Sequence, residues 1–200
     1  MELIKKLKPI WFLLALSPAV YLVYLIVTDG LGPDPAKTVV EFLGTWALRL
    51  LWVTLSLTPL KLITGSGQFI AIRRMMGLYA FFYASLHLAA YLVFMLGLRW
   101  SNLWEDILER PYITVGFAAW LVLLPLAVTS TNKMIRRLGK KWKQLHKGVY
   151  LAACLVILHF IWLAKSNLLE PIIYLTILIL LFALRLIKQT AKTKPVVAND

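Results

Sequence analysis

Residues 75–98 read MMGLYAFFYASLHLAAYLVFMLGL, twenty-four positions without one Lys, Arg, Asp or Glu. At 1.5 Å per residue a helix of that length covers about 36 Å, more than the hydrocarbon core of about 30 Å. His87 lies in its middle, where a polar ring is costly unless it binds or bonds something. Comparable apolar runs occupy 9–27, 42–60, 112–128, 149–163 and 168–187. The whole chain is 60% hydrophobic and only 16% charged, with a mean hydropathy of +0.77, which excludes an ordinary soluble domain. These runs predict an all-α integral membrane bundle of six transmembrane helices over residues 1–190, followed by a short tail, 191–200.

The fifth run, 149–163, is short for a span, and charge decides whether it crosses. Seventeen Lys and Arg residues fall on one side of the alternating connections: Lys5, Lys6, Lys8, Lys61, Arg73, Arg74, the run Lys133–Lys147, Arg185, Lys188, Lys192 and Lys194. Four fall on the other: Lys37, Arg99, Arg110 and Lys165, among seven acidic residues. Omitting the fifth helix would put the basic tail outside, so the positive-inside rule predicts six spans with both termini cytoplasmic. The formal net charge of +13 flanks apolar spans instead of forming a soluble basic face. It therefore speaks for topology and anionic headgroups, not for nucleic acid.

The first run is too long for a signal-peptide core, and Ser17-Pro18-Ala19 sits in its middle, so it is expected to be retained as a helix. The longest polar connection, 129–147, is too short to fold alone. Any catalytic or nucleotide-binding domain is expected on another chain. Tight turns are expected at Asp29–Pro35 and Gly65–Gly67. Trp46, Trp52, Trp100, Trp104 and Trp162 suit an outer aromatic belt, and Trp11 and Trp142 an inner one. Cys154, the sole cysteine, permits no intrachain disulfide and reads as a small packing residue.

The chain holds three histidines. Counted from the cytoplasmic boundary, at Met75 for the third span and Lys147 for the fifth, His87 and His159 are each twelve residues deep. That is about 18 Å, near or just beyond mid-membrane. Two neutral imidazoles at one depth on facing helices are what an axial pair on haem iron requires, and such a pair favours electron transfer over oxygen chemistry. The alternative is that each ring merely hydrogen-bonds across helices. Zinc or copper is poorly served, because no intramembrane carboxylate accompanies the histidines.

His146 lies at the cytoplasmic start of the fifth span, thirteen residues before His159. A rise of about 20 Å suits two stacked redox centres, but the two residues differ by about 140° around a straight helix. A bend near Gly148, or His146 outside the helix, would reconcile them. A second haem there would need an unusual second ligand, since the position thirteen before His87 is Arg74. Arg49, inside the second span, either snorkels outward or pairs with a haem propionate. Arg73 and Arg74 either set topology or hold a propionate or a flavin phosphate at the cytoplasmic mouth. No GxGxxG or Walker pattern is present.

The segment Arg73–His87, together with Leu145-His146-Lys147-Gly148-Val149-Tyr150 and His159, resembles the MsrQ family, the haem-binding membrane subunits of bacterial methionine sulfoxide reductase systems. The resemblance extends over essentially the whole chain. That family lies in the ferric reductase and NADPH oxidase transmembrane superfamily, whose third and fifth helices carry haem-ligating histidines. The resemblance implies that His87 and His159 form the outer pair and that His146 is one member of an inner pair. It also implies b-type haem, one or two per chain, and FMN. Electrons would come from the quinone pool or a cytosolic flavin reductase. They would reach a periplasmic molybdenum-containing methionine sulfoxide reductase that repairs oxidised periplasmic proteins. The chain would be an electron-transfer subunit in the bacterial inner membrane, with the sulfoxide chemistry on its partner. Rival readings are another haem reductase, ferric or quinone-linked, and a non-redox small transporter. No repeat is evident between residues 1–100 and 101–200, which weakens the transporter.

Overall fold

A computed structural model describes residues 6–99, 107–164 and 167–193. Trp100, Trp104, Lys165 and the tail from 194 onward lie outside the described residues. The order is α1 (Lys8–Val27), α2 (Pro35–Thr64), α3 (Gln68–Ala90), α4 (Pro111–Val128), α5 (Asn132–Leu138), α6 (Lys140–Leu145), α7 (Gly148–Leu163) and α8 (Leu169–Thr193). The chain is an all-helical, multi-pass membrane protein with six helices long and apolar enough to cross a bilayer.

Helix ends follow local chemistry. Proline opens α2 and α4, where its missing N–H is no loss. Asp34 caps α2 by accepting from the Lys37 amide at 3.1 Å. Gly65, at φ 71°, ends α2 in the left-handed conformation, and α3 begins three residues later. Both α2 and α3 run past the apolar stretches at 42–60 and 75–98 at their joined end, taking in Lys61, Gln68, Arg73 and Arg74. Good helix formers keep the ladder intact beyond the hydrocarbon, so helix and span are not the same length. The C-terminal end of α3 passes into a π-helical turn, Tyr91–Met95. The polar stretch 129–147 is not a plain loop but carries α5 and α6. The latter, with α7, brings the fifth crossing to 24 residues.

The lateral surface is apolar: Leu13, Val20, Leu180 and Leu186 are all well exposed, as expected when lipid is the solvent. The interior is built on α2, α3 and α7, where Leu55, Tyr83, Ala152 and Ala153 are fully buried. Alongside α3 runs α2, and alongside α7 runs α4. Two side chains bond to backbone groups of helices that contain proline. The Tyr83 hydroxyl stands between Ala15 and Ala19 of α1, beside Pro18, donating to the Ala15 carbonyl at 2.9 Å and accepting from the Ala19 amide at 3.0 Å. Arg185 of α8 donates to the Tyr150 hydroxyl and to the Leu55 carbonyl. Four residues after Leu55 stands Pro59, which has no N–H to offer that carbonyl.

Candidate functional site

The bundle brings His87 of α3 and His159 of α7 together, with ring centroids 6.3 Å apart and planes at 80°. Each ring is anchored on the helix beside its own. Nδ1 of His87 is 2.8 Å from the Val40 carbonyl of α2, and Nδ1 of His159 is 2.6 Å from the Tyr112 carbonyl of α4. A carbonyl can only accept, so Nδ1 carries the proton and donates in both rings. Nε2 is then left with its lone pair, on the ring edge turned away from the anchoring helix. A backbone carbonyl on the far nitrogen also strengthens the near one as a metal ligand.

The spacing can be tested against an axial pair. Two collinear bonds of about 2.0–2.1 Å, the length of an imidazole–metal bond, and about 1.1 Å from each centroid to its nitrogen place the centroids about 6.2–6.4 Å apart. The observed separation fits. Among the described residues no group of three or more His, Cys, Asp or Glu is placed to hold a metal. Two neutral imidazoles alone therefore suit a metal that brings its remaining ligands with it, as iron in a porphyrin does.

The other singled-out residues lie elsewhere. His146 follows α6 and precedes α7, outside both helices. It stacks on Trp142 with centroids 3.8 Å apart. Its Nδ1 is 3.1 Å from the Trp142 carbonyl and its Nε2 3.2 Å from the Leu126 carbonyl. Arg49 is exposed, lies over Trp46 at 5.2 Å and donates through Nε to the Tyr174 hydroxyl at 3.1 Å. Arg73 donates to the Thr58 hydroxyl at 3.0 Å, and Arg74 to Asn132 Oδ1 at 2.6 Å, at the end of the bundle where α2 meets α3. Of the predicted site residues, His87 and His159 converge ring to ring, while His146 lies within electrostatic range of Arg73.

Two residues absent from the sequence reading belong to this site. Gly44 lies under the His87 ring and Gly116 under the His159 ring. The available signal was that each is the only glycine in its apolar run, where glycine weakens a helix and often marks a close approach. Arg185 is the other surprise. Grouped by sequence with the flanking charges, it is only 8% exposed.

Comparison with known proteins agrees with this construction. Residues 43–157 match the family model described as "Ferric reductase like transmembrane component". The chain is 52% identical over 162 residues to the "Protein-methionine-sulfoxide reductase heme-binding subunit MsrQ" of Xanthomonas axonopodis pv. citri (strain 306), covering 81% of this chain and 74% of that one. The chain belongs to the MsrQ family. A second MsrQ, from Polaromonas naphthalenivorans (strain CJ2), is 41% identical over 196 residues, 96% of this chain and 90% of its own length. No solved structure matches the chain. Membership of a family whose model is described as a transmembrane component accords with the six apolar helices.

Proposed function

We propose that this chain is the haem-binding, electron-carrying membrane subunit of a protein-methionine-sulfoxide reductase system. The observation that carries the reading is the His87–His159 pair, whose 6.3 Å separation and carbonyl-anchored Nδ1 atoms suit two axial ligands of one b-type haem. The printed names of its MsrQ relatives, which call them heme-binding subunits, support it. A bound haem supplies a one-electron carrier in the outer half of the bundle. His87 and His159 hold it, and their fixed tautomers present Nε2 to the iron. Arg49 is available to a propionate.

The uneven distribution of Lys and Arg supports an orientation with both termini in the cytoplasm of a bacterial inner membrane. The chain then takes electrons on the inner side, from the quinone pool or a cytosolic flavin reductase. It delivers them to a periplasmic molybdenum-containing methionine sulfoxide reductase that repairs oxidised proteins. Arg73 and Arg74, at the inner end, suit the phosphate of FMN or a propionate. His146 suits a second redox centre there once its bonds to Trp142 and Leu126 are exchanged. The test is to reduce the purified protein anaerobically and add the periplasmic reductase with methionine sulfoxide. Reoxidation that needs both additions is expected. Reoxidation by neither, with the reductase active toward a dye donor, would overturn the assignment.

A further inference from the structure

The two imidazoles are seated by the same device used twice. Each histidine follows its carbonyl partner by 47 residues. Val40, Gly44 and His87 have counterparts in Tyr112, Gly116 and His159, each seventy-two residues later. In both copies the accepting carbonyl lies one helical turn before a glycine, and the ring lies across that glycine. A Cβ added at Gly44 would stand 2.9 Å from Nδ1 and 3.0 Å from Cε1 of His87. One added at Gly116 would stand 2.7 Å and 2.9 Å from the same atoms of His159. Contacts that short are not sustained, so any larger residue must drive the ring off its seat and break the Nδ1–carbonyl bond. Gly77, in the same bundle, is different: its added Cβ would meet Thr54 Cγ2 at 3.5 Å, an ordinary contact.

We propose that Gly44 and Gly116 are positioning residues of the haem ligands, twin seats that hold the His87 and His159 planes crossed. The proposal rests on the haem reading above and deepens it. Each seat combines a carbonyl that fixes the tautomer with a bare α-carbon that lets the ring lie flat against its neighbour helix. Because the seats belong to different helix pairs, each plane is set independently, and the two are found 80° apart. Crossed planes direct their π donation onto different iron d orbitals and leave those orbitals nearly equal in energy. Parallel planes would act on one orbital and split the pair.

The difference is visible in electron paramagnetic resonance of the oxidised protein. The wild type is expected to give one strongly anisotropic low-spin signal with a large maximal g value, which His87→Ala removes. Gly44→Ala and Gly116→Ala are each expected to abolish or shift that signal, move the midpoint potential and weaken haem retention by about 10–100-fold, as loss of an orienting partner does. Gly77→Ala should match the wild type in all three, which separates the seats from a general intolerance of alanine. Helical circular dichroism checks that the variants fold. If neither seat variant folds, the wild-type line shape still decides, and a rhombic spectrum of parallel planes overturns the proposal. It is also overturned if both seat variants fold and keep the wild-type signal and haem content. A wild type without any low-spin haem removes the underlying functional reading instead.

Discussion

Tyr83→Phe isolates one oxygen atom at the junction of α1 and α3. The Tyr83 side chain is fully buried, and its hydroxyl bridges the Ala15 carbonyl and the Ala19 amide. Phenylalanine keeps the ring packing and deletes the bridge. Two hydrogen bonds are lost among apolar neighbours, and leaving a buried polar group unpaired costs about 1–3 kcal/mol. The helix can close the gap by pairing Ala15 with Ala19 directly, since Pro18 supplies neither group, and this recovers one of the two bonds. With both backbone groups paired again, the net loss is one hydrogen bond, about 0.5–1.5 kcal/mol. For a chain of this length about 2–4 °C accompanies each kcal/mol, so the thermal unfolding temperature in detergent, followed by tryptophan fluorescence, should fall by about 1–6 °C. Haem content should not change, because the hydroxyl touches α1 and not the histidines. An unfolding temperature equal to or above that of wild type would refute the reasoning that this hydroxyl supports α1.

Three further perturbations bear on the site and its frame. His87→Ala or His159→Ala should weaken haem binding by more than about 100-fold, since even an orienting partner is worth 10–100-fold; haem quantified per purified chain tests this, and full retention in both contradicts the axial pair. Arg185→Met should destabilise the bundle by about 1–3 kcal/mol, because the Leu55 carbonyl loses its donor and Pro59 cannot replace it; a more stable variant would show that burying the guanidinium outweighs its bonds. His146→Ala should slow reduction of the protein by a flavin donor while leaving the spectrum of the haem assigned to His87 and His159 intact, and an unchanged rate would assign His146 no redox role.

Much of this molecule is legible in its sequence because a bilayer imposes one-dimensional rules. Length and hydropathy mark the six crossings, and the turns at Asp29–Pro35 and Gly65–Gly67 fall where glycine and proline put them. Counting residues from the Lys- and Arg-rich end of each span places His87 and His159 on one level, and their ring centroids lie 6.3 Å apart. What the sequence conceals is lateral. Nothing local links Val40 to His87 or Tyr112 to His159 across 47 residues, so the seats at Gly44 and Gly116 emerge only when the helices are side by side. Comparing residues 1–100 with 101–200 also hides their recurrence, which has an interval of seventy-two. Arg185 illustrates the opposite difficulty. A charge near the end of an apolar run ordinarily marks the interface, yet here it is buried, bonded to the carbonyl four residues before Pro59 in a helix 130 residues away in sequence.

The central claim is that His87 and His159 share one haem iron, and the optical spectrum of the detergent-purified protein tests it most directly. Spectra are recorded oxidised and after dithionite, with haem quantified per chain. Sharp low-spin b-type bands are expected, with at least one haem per chain and that haem lost in His87→Ala and His159→Ala. A colourless protein, or b-type bands that survive both substitutions at full intensity, would contradict the account.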